Sequence, residues 1–236
     1  MKNFHFIIQA KGGCGKSMYT YLQALKNENN QRSYFVDTDS SVKTSSTQLK
    51  FLYGKSPQRF GTMNLLDDRD RLDRQLLFQN LLELSQMDYD DFYLDFGAPE
   101  SDQLPSLLSK DYTIDEFKQI QDELNAHFTL HVIIAGGGAY TACTNFLQKI
   151  VTIVRGILEI NVLVNQSTLN HSYLLDEITT FIKDKKNGIN SLKVFGDFDI
   201  TTAPHKKILS YIEQGRGMDA YVFIEKIKII KELNKI

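Results

Sequence analysis

Apolar and polar positions alternate along the chain in blocks that predict strands and helices in turn. The run Phe4-His5-Phe6-Ile7-Ile8 predicts a buried strand, and Tyr19, Leu22, Ala24 and Leu25 predict a helix after it. Asn27 to Asn30 form a polar break, and Ser33 to Val36 read as a second short strand ending in Asp37-Thr38-Asp39. Residues 40–62, rich in Ser, Thr and Gly, read as a flexible connecting segment. From Asp67 to Met87 the leucines at 72, 76, 77, 81 and 84 predict a helix, with the charge run Asp67 to Arg74 as its acidic start and exposed face. Tyr89 to Asp95 predict a strand, and residues 102–126 a helical stretch with Pro105 at an early position. Thr129 to Ile134 predict another buried strand, closed by Gly136-Gly137-Gly138, followed by a helix from Thr141 to Val154. Ile160 to Asn165 and Leu192 to Phe195 read as the last strands. From Ala220 onward Phe223, Ile227, Ile230 and Leu233 mark an amphipathic helix.

Strands alternating with helices place the chain in the α/β class, with a mostly parallel central sheet covered by helices on both faces. A length of 236 residues and a hydrophobic share of 42% suit one domain over residues 1–236. The formal net charge of −2 speaks against a whole-molecule nucleic-acid binder. Charge is uneven: residues 1–182 carry 16 Lys and Arg against 22 Asp and Glu, while residues 183–236 carry 11 against 7. The only cysteines are Cys14 and Cys143, read as free thiols of a reducing compartment. There is no zinc-ligand spacing, no signal-peptide pattern and no apolar run of the ~20 residues that span a bilayer, so the expectation is a cytoplasmic protein. None of His127, His171 and His205 has a triad-like partner, and all three read as surface residues.

The chemistry concentrates between the first strand and the first helix, in Ala10-Lys11-Gly12-Gly13-Cys14-Gly15-Lys16-Ser17. Strand, glycine loop and helix form the context of a phosphate-binding loop, where bare backbone points several N–H groups at one anion and the helix dipole adds to them. Residues Gly12, Gly13, Cys14, Gly15, Lys16, Ser17 and Met18 are the candidate nucleotide contacts. Lys16 is expected on the β and γ phosphates, and Ser17 on Mg²⁺.

Two lysines flanking the glycines, with Ala10 in place of the usual opening Gly, resemble the deviant Walker A motif of the ParA/MinD family of ATPases. That resemblance covers nearly the whole chain and implies a three-layer P-loop fold. It also implies that Lys11 reaches the nucleotide of a partner subunit. The family's Asp-x-Asp pattern assigns Asp39 to the hydrolytic water and Asp37 to the metal shell. Asp95 takes the Walker B role on Mg²⁺, with Gly97 offering its N–H to the γ phosphate. Asn165 falls where family members bind adenine, and Pro204 on the loop beside the base. Asn165-Gln166-Ser167-Thr168 lacks the Asp of GTP-selective relatives, which favours ATP. Asp95-Phe96-Gly97-Ala98 and Gly136 to Ala139 look more like the TraL/StbB branch of conjugative plasmids.

The resemblance thus implies an ATPase that hydrolyses ATP to ADP and phosphate, with ATP and Mg²⁺ as ligands. It would act as a switch that forms a homodimer when ATP-bound. Slow hydrolysis would be stimulated by a plasmid-encoded protein partner, in plasmid transfer or maintenance. Two alternatives stand beside it: a DNA-binding partition ATPase using Lys185, Lys186, Lys206 and Lys207, and a small-molecule phosphotransferase on the same scaffold. The terminal amphipathic helix is expected to pack on the sheet or a dimer partner rather than on a membrane.

Overall fold

The computed structural model describes residues 1–39, 44–69, 71–169, 171–184 and 188–236. Among the described residues seven strands form one all-parallel sheet: β1 (Lys2–Ile8), β2 (Ser33–Asp37), β3 (Phe60–Thr62), β4 (Asp91–Asp95), β5 (Ala126–Ile134), β6 (Glu159–Asn165) and β7 (Ile189–Phe195), in the order β3-β2-β4-β1-β5-β6-β7. Parallel strands need crossovers, supplied by α1 (Lys16–Lys26), α3 (Arg74–Gln86), α4 (Ala98–Ser106), α5 (Ile114–Glu123), α6 (Tyr140–Val154) and α7 (Ser172–Lys183). The short α2 (Thr44–Gln48) follows β2, and α8 (Ala203–Glu213) and α9 (Phe223–Leu233) close the described chain.

Alternation along β1 explains why both faces are covered. Phe4 stacks on Phe92 of β4 and meets Phe128 of β5, which in turn meets Phe117 of α5. His5 points the other way, stacking on Tyr93 and meeting His131, whose ring lies against Tyr19 of α1. Phe4, Ile7, Ile8, Phe92, Phe128 and Val132 are fully buried. Side chains of this size stabilise by about 1.5–3 kcal/mol each when buried. Such runs suit a parallel sheet packed on both faces.

Connections leave β1 toward β2 on one side and β4 toward β5 on the other, so the crevice opens between the C-terminal ends of β1 and β4. Register brings Ile7 level with Asp95 and Asp37 level with Asp95, placing both carboxylates at that rim.

Several expected boundaries move. Asp67 does not start a helix. It accepts the N–H groups of Arg69 and Arg71, and the helix begins only after Asp73, whose carboxylate caps Leu76 N. Aspartate competes with helix by bonding its own nearby backbone, which holds Asp67, Arg69 and Arg71 out of a helix, between the bridged Leu66 and Leu72. Asp70 lies outside the described residues. The stretch 102–126 is not one helix. Pro99 stands in the first turn of α4 and Pro105 near its end, a π turn follows over Leu107–Asp111, and a Thr113–Glu116 capping box starts α5 afresh. Within residues 40–62, where a connection was expected, the chain builds α2 and the edge strand β3; residues 40–43 lie outside the described residues. Helices α7 and α8 also go beyond the pattern. On α9, Ile229 and Leu233 are buried, whereas Phe223, Ile227 and Ile230 are exposed. Among the described residues no helix is long and apolar enough to cross a membrane.

Candidate functional site

Residues Gly12 to Met18, with Asp39, Thr44, Gln48 and Ala98, line a cleft of about 430 Å³ at the sheet's C-terminal rim. The glycine loop ends at Gly15, in a left-handed conformation with φ 101°, and Lys16 begins α1. A side chain at Gly15 would meet the Asn165 Nδ2 at 2.6 Å, so glycine is demanded by both backbone and space. Gly12 and Gly13 have open space where a Cβ would stand.

Lys16 is buried, and its ammonium donates to the Gln9 carbonyl at 3.0 Å. Gln9 is itself fully buried; its Nε2 donates to the Ile133 carbonyl and its Oε1 accepts from Lys11 N. The side chain of Lys11 reaches solvent at the lip of the loop.

Asp95, at the end of β4, has a buried carboxyl. Ser45 Oγ of α2 donates to its Oδ2, while Oδ1 has no hydrogen-bond partner. Burial pushes its pKa from the ordinary 3.8 up to about 6, against the opposing pull of Ser45, the Lys16 ammonium and the Ser17 hydroxyl. A buried carboxylate oxygen left open beside a serine hydroxyl is a donor set that suits Mg²⁺, a hard cation that takes oxygen ligands and keeps several waters. Asp95 and Ser17 therefore fit a metal carried in with a nucleotide. Among the described residues no cluster of three His, Cys, Asp or Glu forms a self-sufficient metal site.

Asp37 is occupied differently. Its Oδ1 accepts from Asp39 N at 3.1 Å, and its Oδ2 accepts the backbone N–H of Ser46 at 2.7 Å and the Ser46 hydroxyl. It thereby anchors α2 beside the cleft. Asp39 lies against the second rim segment: a Cβ on Gly97 would stand 3.2 Å from the Asp39 Cα. The segments after β2 and β4 thus touch at Asp39 and Gly97.

Asn165 comes in from β6 behind the loop. Its Nδ2 donates to the Cys14 carbonyl at 3.0 Å and its Oδ1 accepts from Ser167 Oγ. A Cβ on Gly196 would meet that same Oδ1 at 2.8 Å, so the carboxamide is wedged between Gly15 and Gly196. Gly196 N in turn donates to Glu232 of α9, which is 3% exposed. Pro204 is in the first turn of α8 and is not among the cleft-lining residues. Lys206 and Lys207 are exposed on the same helix, and Lys207 pairs with Glu225 at 3.1 Å; Lys185 and Lys186 lie outside the described residues.

Gln9, Ser45 and Ser46 are the structural supports that sequence alone did not single out. Their signal was weak, since a polar residue after a strand and a Ser/Thr run are common in loops. Cys14 and Cys143, 129 residues apart, have their sulfurs 3.4 Å from each other, both buried as free thiols. His5 Nδ1 and His131 Nε2 also meet, at 3.0 Å, inside the sheet's α1 face.

No family model matches the chain, and no curated protein matches it. Solved structures do match. The MinC:MinD cell division protein complex of Aquifex aeolicus aligns with a TM-score of 0.55 over 99% of this chain and 94% of that chain, at 12% identity. The septum site-determining protein MinD of Pyrococcus horikoshii OT3, complexed with Mg-ADP, gives 0.53 over 99% and 94%, at 13% identity. The MinD cell division protein of Aquifex aeolicus gives 0.52 over 99% and 95%, at 10% identity. This chain therefore has the three-layer α/β P-loop fold, with an all-parallel central sheet, that these MinD structures share.

Proposed function

We propose that the chain is an ATPase of the ParA/MinD type, an ATP-dependent dimerisation switch. The observation that carries this reading is the open, buried Asp95 oxygen beside Ser17, at the foot of a glycine loop whose backbone is free to face an anion. A bare glycine turn would not need a buried carboxylate held partly unsatisfied, at a cost of about 1–3 kcal/mol.

In this reading the N–H groups from Gly12 to Met18 bind the phosphates of ATP, and the Lys16 ammonium exchanges the Gln9 carbonyl for the β and γ phosphates. Mg²⁺, held by Ser17 and Asp95 with Asp37 behind them, supplies charge neutralisation for the triphosphate. Asp39 orients the attacking water, and Gly97 N–H meets the γ phosphate; their contact links water placement to phosphate sensing. Asn165 holds the loop from behind while its second amide hydrogen serves adenine, and Pro204 lies along the base. Lys11, exposed at the lip, reaches the nucleotide of a second copy. ATP positions Asp39 and Gly97, and a plasmid-encoded protein partner completes their arrangement to speed a slow hydrolysis. The fold shared with a MinD that was solved with Mg-ADP, and with one solved in a MinC:MinD complex, supports both the nucleotide and a protein partner. The TraL/StbB-like Asp95-Phe96-Gly97-Ala98 supports a role in plasmid transfer or maintenance in the cytoplasm.

Equilibrium binding of a fluorescent ATP analogue and phosphate release test this. Lys16→Ala is expected to abolish binding, and Asp39→Ala to keep binding while hydrolysis falls about 100-fold. Unchanged affinity in Lys16→Ala would overturn the phosphate-loop reading.

A further inference from the structure

Cys14 is part of the glycine loop, and Cys143 is in the first turn of α6. Their sulfurs, 3.4 Å apart, are in contact without being bonded. A disulfide needs about 2.05 Å, so an approach of little more than ~1 Å separates the two states. The loop has room for it, since nothing crowds Gly12 or Gly13. Cys14 is among the cleft-lining residues, so a small oxidant entering the cleft meets the loop that carries the buried pair. The α6 side is fixed: the Cys143 carbonyl accepts from the buried Gln9 Nε2 at 3.5 Å, and the side chain is fully buried. On the loop side the Cys14 carbonyl is held by Asn165 Nδ2 at 3.0 Å, so closing the gap loads that bond.

We propose that Cys14 and Cys143 form a reversible disulfide site, oxidised by a peroxide, that takes the glycine loop out of its anion-binding shape. Lys16 and Lys11 lie near both sulfurs and favour a thiolate in the pair. The thiolate of one cysteine attacks one peroxide oxygen, the O–O bond breaks, and the departing hydroxide takes up a proton to leave water and a sulfenic acid on that cysteine. The sulfur of the other, 3.4 Å away, then attacks the sulfenic sulfur. The S–S bond forms, the S–O bond breaks, and the hydroxyl leaves as water with the second thiol's proton. Two thiols have lost two electrons to one peroxide, and two waters result.

Pulling Cys14 toward α6 strains the Asn165 bond to the Cys14 carbonyl and re-aims the N–H groups on either side of Cys14. That consequence rests on reading the loop as a phosphate cradle; the disulfide itself does not. The experiment treats the reduced chain with hydrogen peroxide, denatures and alkylates it, and maps the cysteines by mass spectrometry, with binding of a fluorescent ATP analogue measured alongside. A Cys14–Cys143 cross-linked peptide that dithiothreitol reverses is expected, with affinity reduced about tenfold or more on oxidation, the worth of one charge-assisted hydrogen bond. Cys143→Ala is expected to bind the analogue normally and to ignore peroxide. Two free alkylated cysteines after treatment, equal affinity of oxidised and reduced protein, or a Cys143→Ala variant that still loses affinity in peroxide would each overturn the proposal. If the reduced chain takes no nucleotide, the phosphate-cradle reading fails, and the cross-link map alone decides the cysteine pair.

Discussion

Asp95 shows what a single residue can hold in reserve. Its carboxyl is fully desolvated, and one oxygen is unpaired, so the folded chain prefers it protonated up to about pH 6 instead of 3.8. A raised carboxyl pKa contributes stability that is fully present below pH 3.8 and lost as pH rises through about 6. Without nucleotide or metal, the chain is therefore expected to weaken across that window. Asp95→Asn, which cannot ionise, is expected to be more stable than the wild type by roughly 1–3 kcal/mol at about pH 7, with the gap closing near pH 4. Thermal melts of both proteins across that range check it; a constant gap would show that ionisation of Asp95 is not the source. If Mg²⁺ and ATP together stabilise the wild type, as proposed, the same variant should lose that stabilisation.

Among the elements, the strands were the most legible. Val132 to Ile134 and Val162 to Val164 are apolar without a break, the pattern expected of parallel strands buried on both faces. The loop was equally plain, because three glycines and two lysines between a strand and a helix leave little else to build. Helices α7 and α8 were harder to see. Their buried residues, Leu174 with Ile178 and Ile208 with Ile212, keep helical spacing, but threonine, serine and histidine around them dilute it. Boundaries failed where side chains outbid the backbone: Asp67 and Asp73 delay α3, and Thr113 restarts a helix that periodicity alone would run on. At the site, the residues that touch the ligand in our proposal were legible, whereas Ser45, Ser46 and Gln9 acquire meaning only through contacts across the fold. The capping box offers a control at this scale. Thr113→Ala is expected to cost about 1 kcal/mol of stability in denaturant melts and to leave nucleotide affinity unchanged. A loss of binding in that variant would mean that α5 is coupled to the cleft.

For the molecule as a whole, the issue is how two copies would meet. The lip of the cleft presents Lys11 to solvent, next to Gly12 and Gly13, which are also exposed. If Lys11 acts across a dimer, light-scattering mass should double with ATP in the wild type but stay monomeric with ADP. Lys11→Ala should bind ATP with near-normal affinity and remain monomeric. A Lys11→Ala protein that still doubles its mass with ATP would assign the pairing to other contacts. A mass independent of nucleotide would remove the switch altogether.

The wedge of Asn165 between Gly15 and Gly196 has a mechanical consequence. Glu232 grips the exit of β7 at Gly196 and Asp197, the Asn165 carboxamide fills the space where a side chain at Gly196 would stand, and the same carboxamide carries the Cys14 carbonyl. The last described helix is thus tethered to the cradle by three consecutive joints. Whatever pulls on α9, whether a binding protein or a fused tag, is expected to tug on the glycine loop as well.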